Sequence, residues 1–172
     1  MPVPDAPPRS PHRRRGLAAL AGLLVLLAGC AGGFGGLFGP RLSPALEAQR
    51  ARLADALRGT PVVIEATAER RLRIEVPARH AFEPGRTAVK PALGAVLEQF
   101  AIGFRPHAAS TELQIGAPDE AGAEPRLAKE RALNAREYLI GRGVPASRIT
   151  VLGRAPRAGL ELLVGDRAPN AR

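Results

Sequence analysis

Apolar positions recur along this chain in three rhythms, and each predicts a different kind of element. The first is unbroken. Leu17 to Gly29 reads LAALAGLLVLLAG and follows the basic triplet Arg13-Arg14-Arg15. These thirteen residues fall short of the about 20 that a membrane-spanning helix needs. A basic segment before a short apolar run reads instead as an export signal.

The second rhythm is helical. Leu46, Leu53 and Leu57 follow Ser43-Pro44 and end at Gly59, which predicts a short amphipathic helix over 45–60. It is too short for three coiled-coil heptads, so packing against the domain is the expectation. Leu93, Val96, Leu97, Phe100 and Phe104 form an i, i+3, i+4, i+7, i+11 stripe. They predict a helix from about Ala88, with Pro91 in its first turn. Leu127, Ala128, Ala132, Ala135, Tyr138 and Leu139 predict another, starting near Glu124-Pro125 and closed by Gly141 and Gly143.

The third rhythm is alternation. PVVIEAT (61–67) and RLRIEVP (71–77) alternate as strands, with Leu72, Ile74 and Val76 on one face and Glu69-Arg70 in the turn of a hairpin. Phe82-Glu83-Pro84-Gly85 is a loop. TELQIG (111–116), RITVL (148–152) and LELLV (160–164) are three further strands, and Gly165 to Arg172 reads as a frayed tail. The order β-β-α-β-α-β-β predicts an α+β fold, with two main helices packed on a mixed sheet, preceded by a short helix and a tether. The segments are then an export signal over 1–29, a Gly-rich tether over 30–44, a short helix over 45–60, the domain over 61–165 and a tail over 166–172. Fully extended, Ala31 to Pro44 reaches roughly 46 Å.

Composition changes this picture little. The net charge is +9, with Arg outnumbering Lys 23 to 2. Four arginines precede Leu17 within the signal, and the remaining charges alternate with acids as on a solvated surface. No platform of interleaved basic and aromatic residues is present, so nucleic acid is not an expected partner. Cysteine says more. Cys30 is the only one in the chain, and it closes the apolar run as Leu27-Ala28-Gly29-Cys30.

That tetrad resembles the bacterial lipobox, in which cleavage precedes a lipidated cysteine. The resemblance implies a mature chain starting at Cys30 with a diacylglycerol thioether and an N-acyl chain such as palmitate, which together anchor firmly in a membrane. Ala31, in place of the aspartate that favours inner-membrane retention, implies the periplasmic face of the outer membrane in a Gram-negative bacterium.

The rest of the chain, from about Pro61 to Val164, resembles the OmpA-like, peptidoglycan-binding C-terminal domain. Phe82 stands at the loop position before the first long helix. Gly116-Ala117-Pro118-Asp119 matches the family's Gly-His-Thr-Asp, and Leu127-Ala128-Lys129-Glu130-Arg131-Ala132 its Leu-Ser-x-x-Arg-Ala helix start. YLIGRGVPASRITVLG, from Tyr138 to Gly153, is the most specific part. The resemblance implies that Asp119 takes the ammonium and Arg131 the carboxylate of diaminopimelate in the stem peptide, with Phe82 beside the site. The chemistry is sound, because a zwitterion is matched by an acid and a guanidinium fork. Here His-Thr is Ala117-Pro118, the helix-start Ser is Ala128, the loop after Asp119 is shorter and its Asn has no clear counterpart. The arginines of the family's last strand are also replaced.

From the residues alone, Asp119 and Arg131 are equally a buried ion pair or two solvated charges. His80 and His107 lack metal-ligand spacing and read as surface or loop residues. Glu112, Glu120 and Glu124 bring no nucleophile, P-loop or zinc pattern with them. Neither an enzyme nor a cofactor or metal is expected. The expected function is an outer-membrane lipoprotein that binds peptidoglycan non-covalently and tethers membrane to wall. The alternative is a degenerate OmpA-like scaffold that docks an envelope protein without binding the wall.

Overall fold

The computed structural model describes residues 41–120 and 126–168. Cys30, the export signal, residues 30–40 of the tether, Glu124-Pro125 and residues 169–172 lie outside the described residues. Among the described residues no helix is long and apolar enough to cross a membrane.

Helix α1 (Pro44–Ala56) starts where Ser43 stops the chain in extended conformation and its hydroxyl accepts the Leu46 N–H. Leu46 and Leu53 are buried as their spacing predicts, and Gln49 is buried between them. The Gln49 amide donates to the Phe100 carbonyl, which satisfies a polar group on the packed face. The helix therefore lies against the domain.

Strands β1 (Val63–Ala66) and β2 (Leu72–Pro77) form the expected antiparallel hairpin. A one-turn helix, α2 (Ala78–Ala81), follows. It is too short, with one buried residue, to leave a periodic signal. Helix α3 (Pro91–Phe104) begins three residues later than its apolar stripe suggests, because the residue before a proline is pushed out of the helical region and Lys90 is extended. All five stripe residues are buried, and Phe100 and Phe104 stack at 5.4 Å. Strand β3 (Thr111–Ala117), helix α4 (Leu127–Gly141), strand β4 (Ile149–Arg154) and strand β5 (Gly159–Asp166) complete the domain.

The sheet order is β1-β2-β5-β3-β4, with β3 and β4 parallel and the other neighbours antiparallel. This is the mixed sheet expected. Its helix-facing rows run straight across three strands, as Leu72–Val164–Leu113 and Ile74–Leu162–Ile115. Alanines 128, 132 and 135 on α4 are buried and let that helix approach closely. Gly94 on α3 does the same for Tyr138, since a Cβ there would lie 2.8 Å from the phenol oxygen.

The end of the chain differs from expectation. Gly165 and Asp166 belong to β5 rather than to a frayed tail. The Asp166 carboxylate accepts the Ser43 hydroxyl at 2.7 Å, and Arg167 N–H donates to the Ser110 carbonyl at 2.8 Å. These partners are remote in sequence, so local composition could not announce them.

Strand β4 is bulged. Ile115 pairs with Val151 but Gly116 pairs with Gly153, so Leu152 has no partner across the pair. Gly153 takes φ +82, in the left-handed region. The bulge resets the side-chain alternation beyond it and aims Arg154 at the end of β3. Gly153→Ala has space for its methyl, since the nearest atom is 3.9 Å away. Its cost is therefore conformational, an expected stability loss of about 1–2 kcal/mol by chemical denaturation.

Candidate functional site

The candidate site forms where the C-terminal end of β3 meets the loop before α3. Gly116 eases a close approach there, because a Cβ would lie 3.0 Å from Ala155 Cα. The Ala155 N–H donates to the Ala117 carbonyl at 2.8 Å, which locks the β3 and β4 ends together. Pro118, Asp119 and Glu120 follow from this fixed point.

Arg131 sits on the core-facing side of α4, among Ala128, Ala132 and Ala135, and is 1% exposed. A buried guanidinium must be bonded on its edges. Its Nε donates to the Arg86 carbonyl at 2.8 Å, one terminal nitrogen to the Pro118 carbonyl at 3.2 Å, and the other to the Glu83 carbonyl at 3.0 Å. That last nitrogen also bonds the Glu120 carboxylate. The Phe82 ring, itself buried, lies 4.9 Å from the guanidinium carbon, a cation–π contact. Arg131 thus staples loop 82–87 to the end of β3.

Glu120 has two partners. One carboxylate oxygen meets Arg131, and the other accepts the Gly85 N–H at 2.9 Å. The Arg131 bond, and then the Gly85 N–H, hold this carboxyl below its ordinary pKa. Asp119 points elsewhere. One of its oxygens accepts the Glu120 N–H at 3.1 Å, and the other lies 3.6 Å from the exposed Arg154 guanidinium. Asp119 lines an open cleft of about 480 Å³ with Arg154, Ala155, Pro156, Arg157 and Ala158. The structure therefore brings Phe82 and Arg131 into contact, and places Asp119 one residue beyond the carbonyl that Arg131 binds. In this arrangement Asp119 pairs with Arg154, and Arg131 pairs with Glu120.

His80, His107 and Glu112 lie away from this cluster. His80 accepts a bond from Arg79 at 3.0 Å on α2, and His107 lies in the turn after α3. Glu112 pairs with Arg71 at 3.3 Å. Among the described residues no cluster of His, Cys, Asp and Glu could hold a metal.

Comparison with solved structures places the architecture. A MotB like protein from Desulfovibrio vulgaris superposes with a TM-score of 0.58 at 20% identity, covering 72% of this chain and 92% of that one. The fold is OmpA-like. A structure described as the cell wall anchor of the T6SS from Pseudomonas aeruginosa matches with a TM-score of 0.55 at 16% identity, over 75% of this chain and 99% of that one. At these identities the likeness is one of fold. No family model matches the sequence. Among curated proteins the chain is 30% identical over 114 residues to the one named Probable lipoprotein YiaD from Escherichia coli, covering 64% of this chain and 52% of that protein. The chain thus spans about half the length of that relative.

Within this OmpA-like domain, Glu120, Arg154 and the carbonyls of Glu83 and Arg86 were not legible as site groups. Glu120 carried one signal, as an acid beside Asp119. Its bond to Arg131 depends on how the chain turns after Pro118. The carbonyls leave no trace in residue identity at all.

Proposed function

We propose that the chain is an envelope lipoprotein whose OmpA-like domain binds peptidoglycan non-covalently, while lipid on Cys30 holds the outer membrane. Asp119 takes the ammonium and Arg131 the carboxylate of diaminopimelate, with Phe82 under the guanidinium. The protein is a rivet between two layers, not an enzyme. The supporting observation is that Asp119 faces an open cleft and directly follows Pro118, whose carbonyl accepts from the Arg131 guanidinium. The likeness to a cell wall anchor and to a relative named as a probable lipoprotein points the same way.

The full chain, solubilised in detergent, is expected to co-sediment with purified sacculi. Asp119→Ala and the charge-conserving Arg131→Lys are each expected to reduce the bound fraction severalfold, the latter because lysine cannot keep the three carbonyl bonds that aim the remaining guanidinium N–H. Bound fractions equal to wild type in both would remove the clamp.

One observation favours a second reading. The carboxylate-binding edge of Arg131 is already occupied by Glu120, as in a scaffold whose wall site has lapsed. In that case the domain docks an envelope protein. Recovery of a stoichiometric protein partner from cells, without sacculus binding, would decide for it.

A further inference from the structure

The occupied edge of Arg131 itself carries information. Three of its four bonds go to main-chain carbonyls, which fix the guanidinium without neutralising it. Its anionic partner is Glu120. The two donors that meet this carboxylate are a guanidinium N–H and the Gly85 N–H, one for each oxygen. That is a seat for a carboxylate, matched to its two lone-pair edges. The Glu120 side chain is 34% exposed, whereas Arg131 is 1% exposed, so the seat meets solvent through Glu120. Gly85 has open space on its Cβ side. Asp119, the acid proposed for the ligand's ammonium, immediately precedes Glu120.

We propose that Glu120 is an internal occupant of the carboxylate seat on Arg131, and that a ligand carboxylate binds by exchanging with it. This deepens the cell-wall reading and rests on it. Glu120 then sets affinity without touching the bound ligand. A ligand must find the protein in the minor state with Glu120 withdrawn, and its apparent affinity is reduced by that fraction. The displaced carboxylate loses two bonds and regains water. The lowered pKa of Glu120 fits a seat that favours an anion.

The test is calorimetric titration of the full chain in detergent micelles with a tripeptide ending in meso-diaminopimelate, for wild type, Glu120→Gln and Glu120→Ala. Sacculus sedimentation is run in parallel. Glu120→Gln keeps an oxygen for the Gly85 N–H while removing the competing charge. Both variants are expected to bind about tenfold tighter than wild type, the gain from freeing a seat that is about nine-tenths occupied. A structural counter-ion behaves in the opposite way, since its loss loosens Arg131 and weakens binding. Wild-type binding that both variants leave unchanged or weaken overturns the inference alone. Absence of tripeptide and sacculus binding in all three proteins overturns the cell-wall reading and the inference with it.

Discussion

Arg131→Ala is expected to lower the stability of the domain by roughly 3–5 kcal/mol, measured by urea denaturation. The reasoning starts from what the side chain leaves behind. Three carbonyls, of Glu83, Arg86 and Pro118, lose their donor together, and two of those bonds hold loop 82–87 against β3. The bond to the Pro118 carbonyl is the buried one, and an unpaired buried polar group costs about 1–3 kcal/mol. The Glu120 carboxylate loses its cationic partner, and the face of the Phe82 ring loses its cover. Water entering the vacated volume offsets part of this loss. Wall binding is expected to vanish too, so this variant alone cannot assign the role of Arg131. Arg131→Lys separates the roles: the charge stays near Glu120, the three-way carbonyl staple is lost, and an intermediate stability loss is expected. A loss under about 1 kcal/mol for Arg131→Ala would mean that the carbonyls find other partners and that the staple is not structural.

That arginine also shows where sequence reading reaches its limit. The strands and main helices were legible because their signals are periodic. Leu72, Ile74 and Val76 alternate, the α3 stripe repeats at helical spacing, and each lands on the core side. The OmpA-like pattern was legible for a related reason, since Gly116 and Tyr138 answer to tight contacts with Ala155 and Gly94. On α4, Arg131 shares its face with small buried residues, while residue identity alone left it equally a buried ion pair or a solvated charge. Its partners were not readable. They are main-chain atoms from a loop some 45 residues away and an acid whose direction depends on the turn after Pro118. The β4 bulge was hidden in the same way, because nothing in RITVLGR marks that Gly153 takes a positive φ.

Arg73→Met is expected to cost about 3 kcal/mol, because it strips the counter-charge from a buried acid. Glu161 on β5 is 5% exposed at its side chain, and in register it stands directly opposite Glu75 on β2. Two like charges facing across a strand pair repel. Arg73 offsets this from the sheet face away from the helices: its Nε lies 3.2 Å from Glu161, and a terminal nitrogen donates to Glu65 at 2.7 Å. Arg157 reaches the same group from the β4–β5 loop, 3.4 Å from Glu65 and 3.8 Å from Glu75. Arg157 also lines the Asp119 cleft, so this acid row ties the cleft wall to the sheet. Methionine fills the stem volume of Arg73 and isolates the charge effect. The double variant Arg73→Met with Glu161→Gln is expected to recover most of the loss, since the repulsion and the buried charge leave together. A double variant no more stable than the single one would show that Arg73 acts through its packed stem and not its charge.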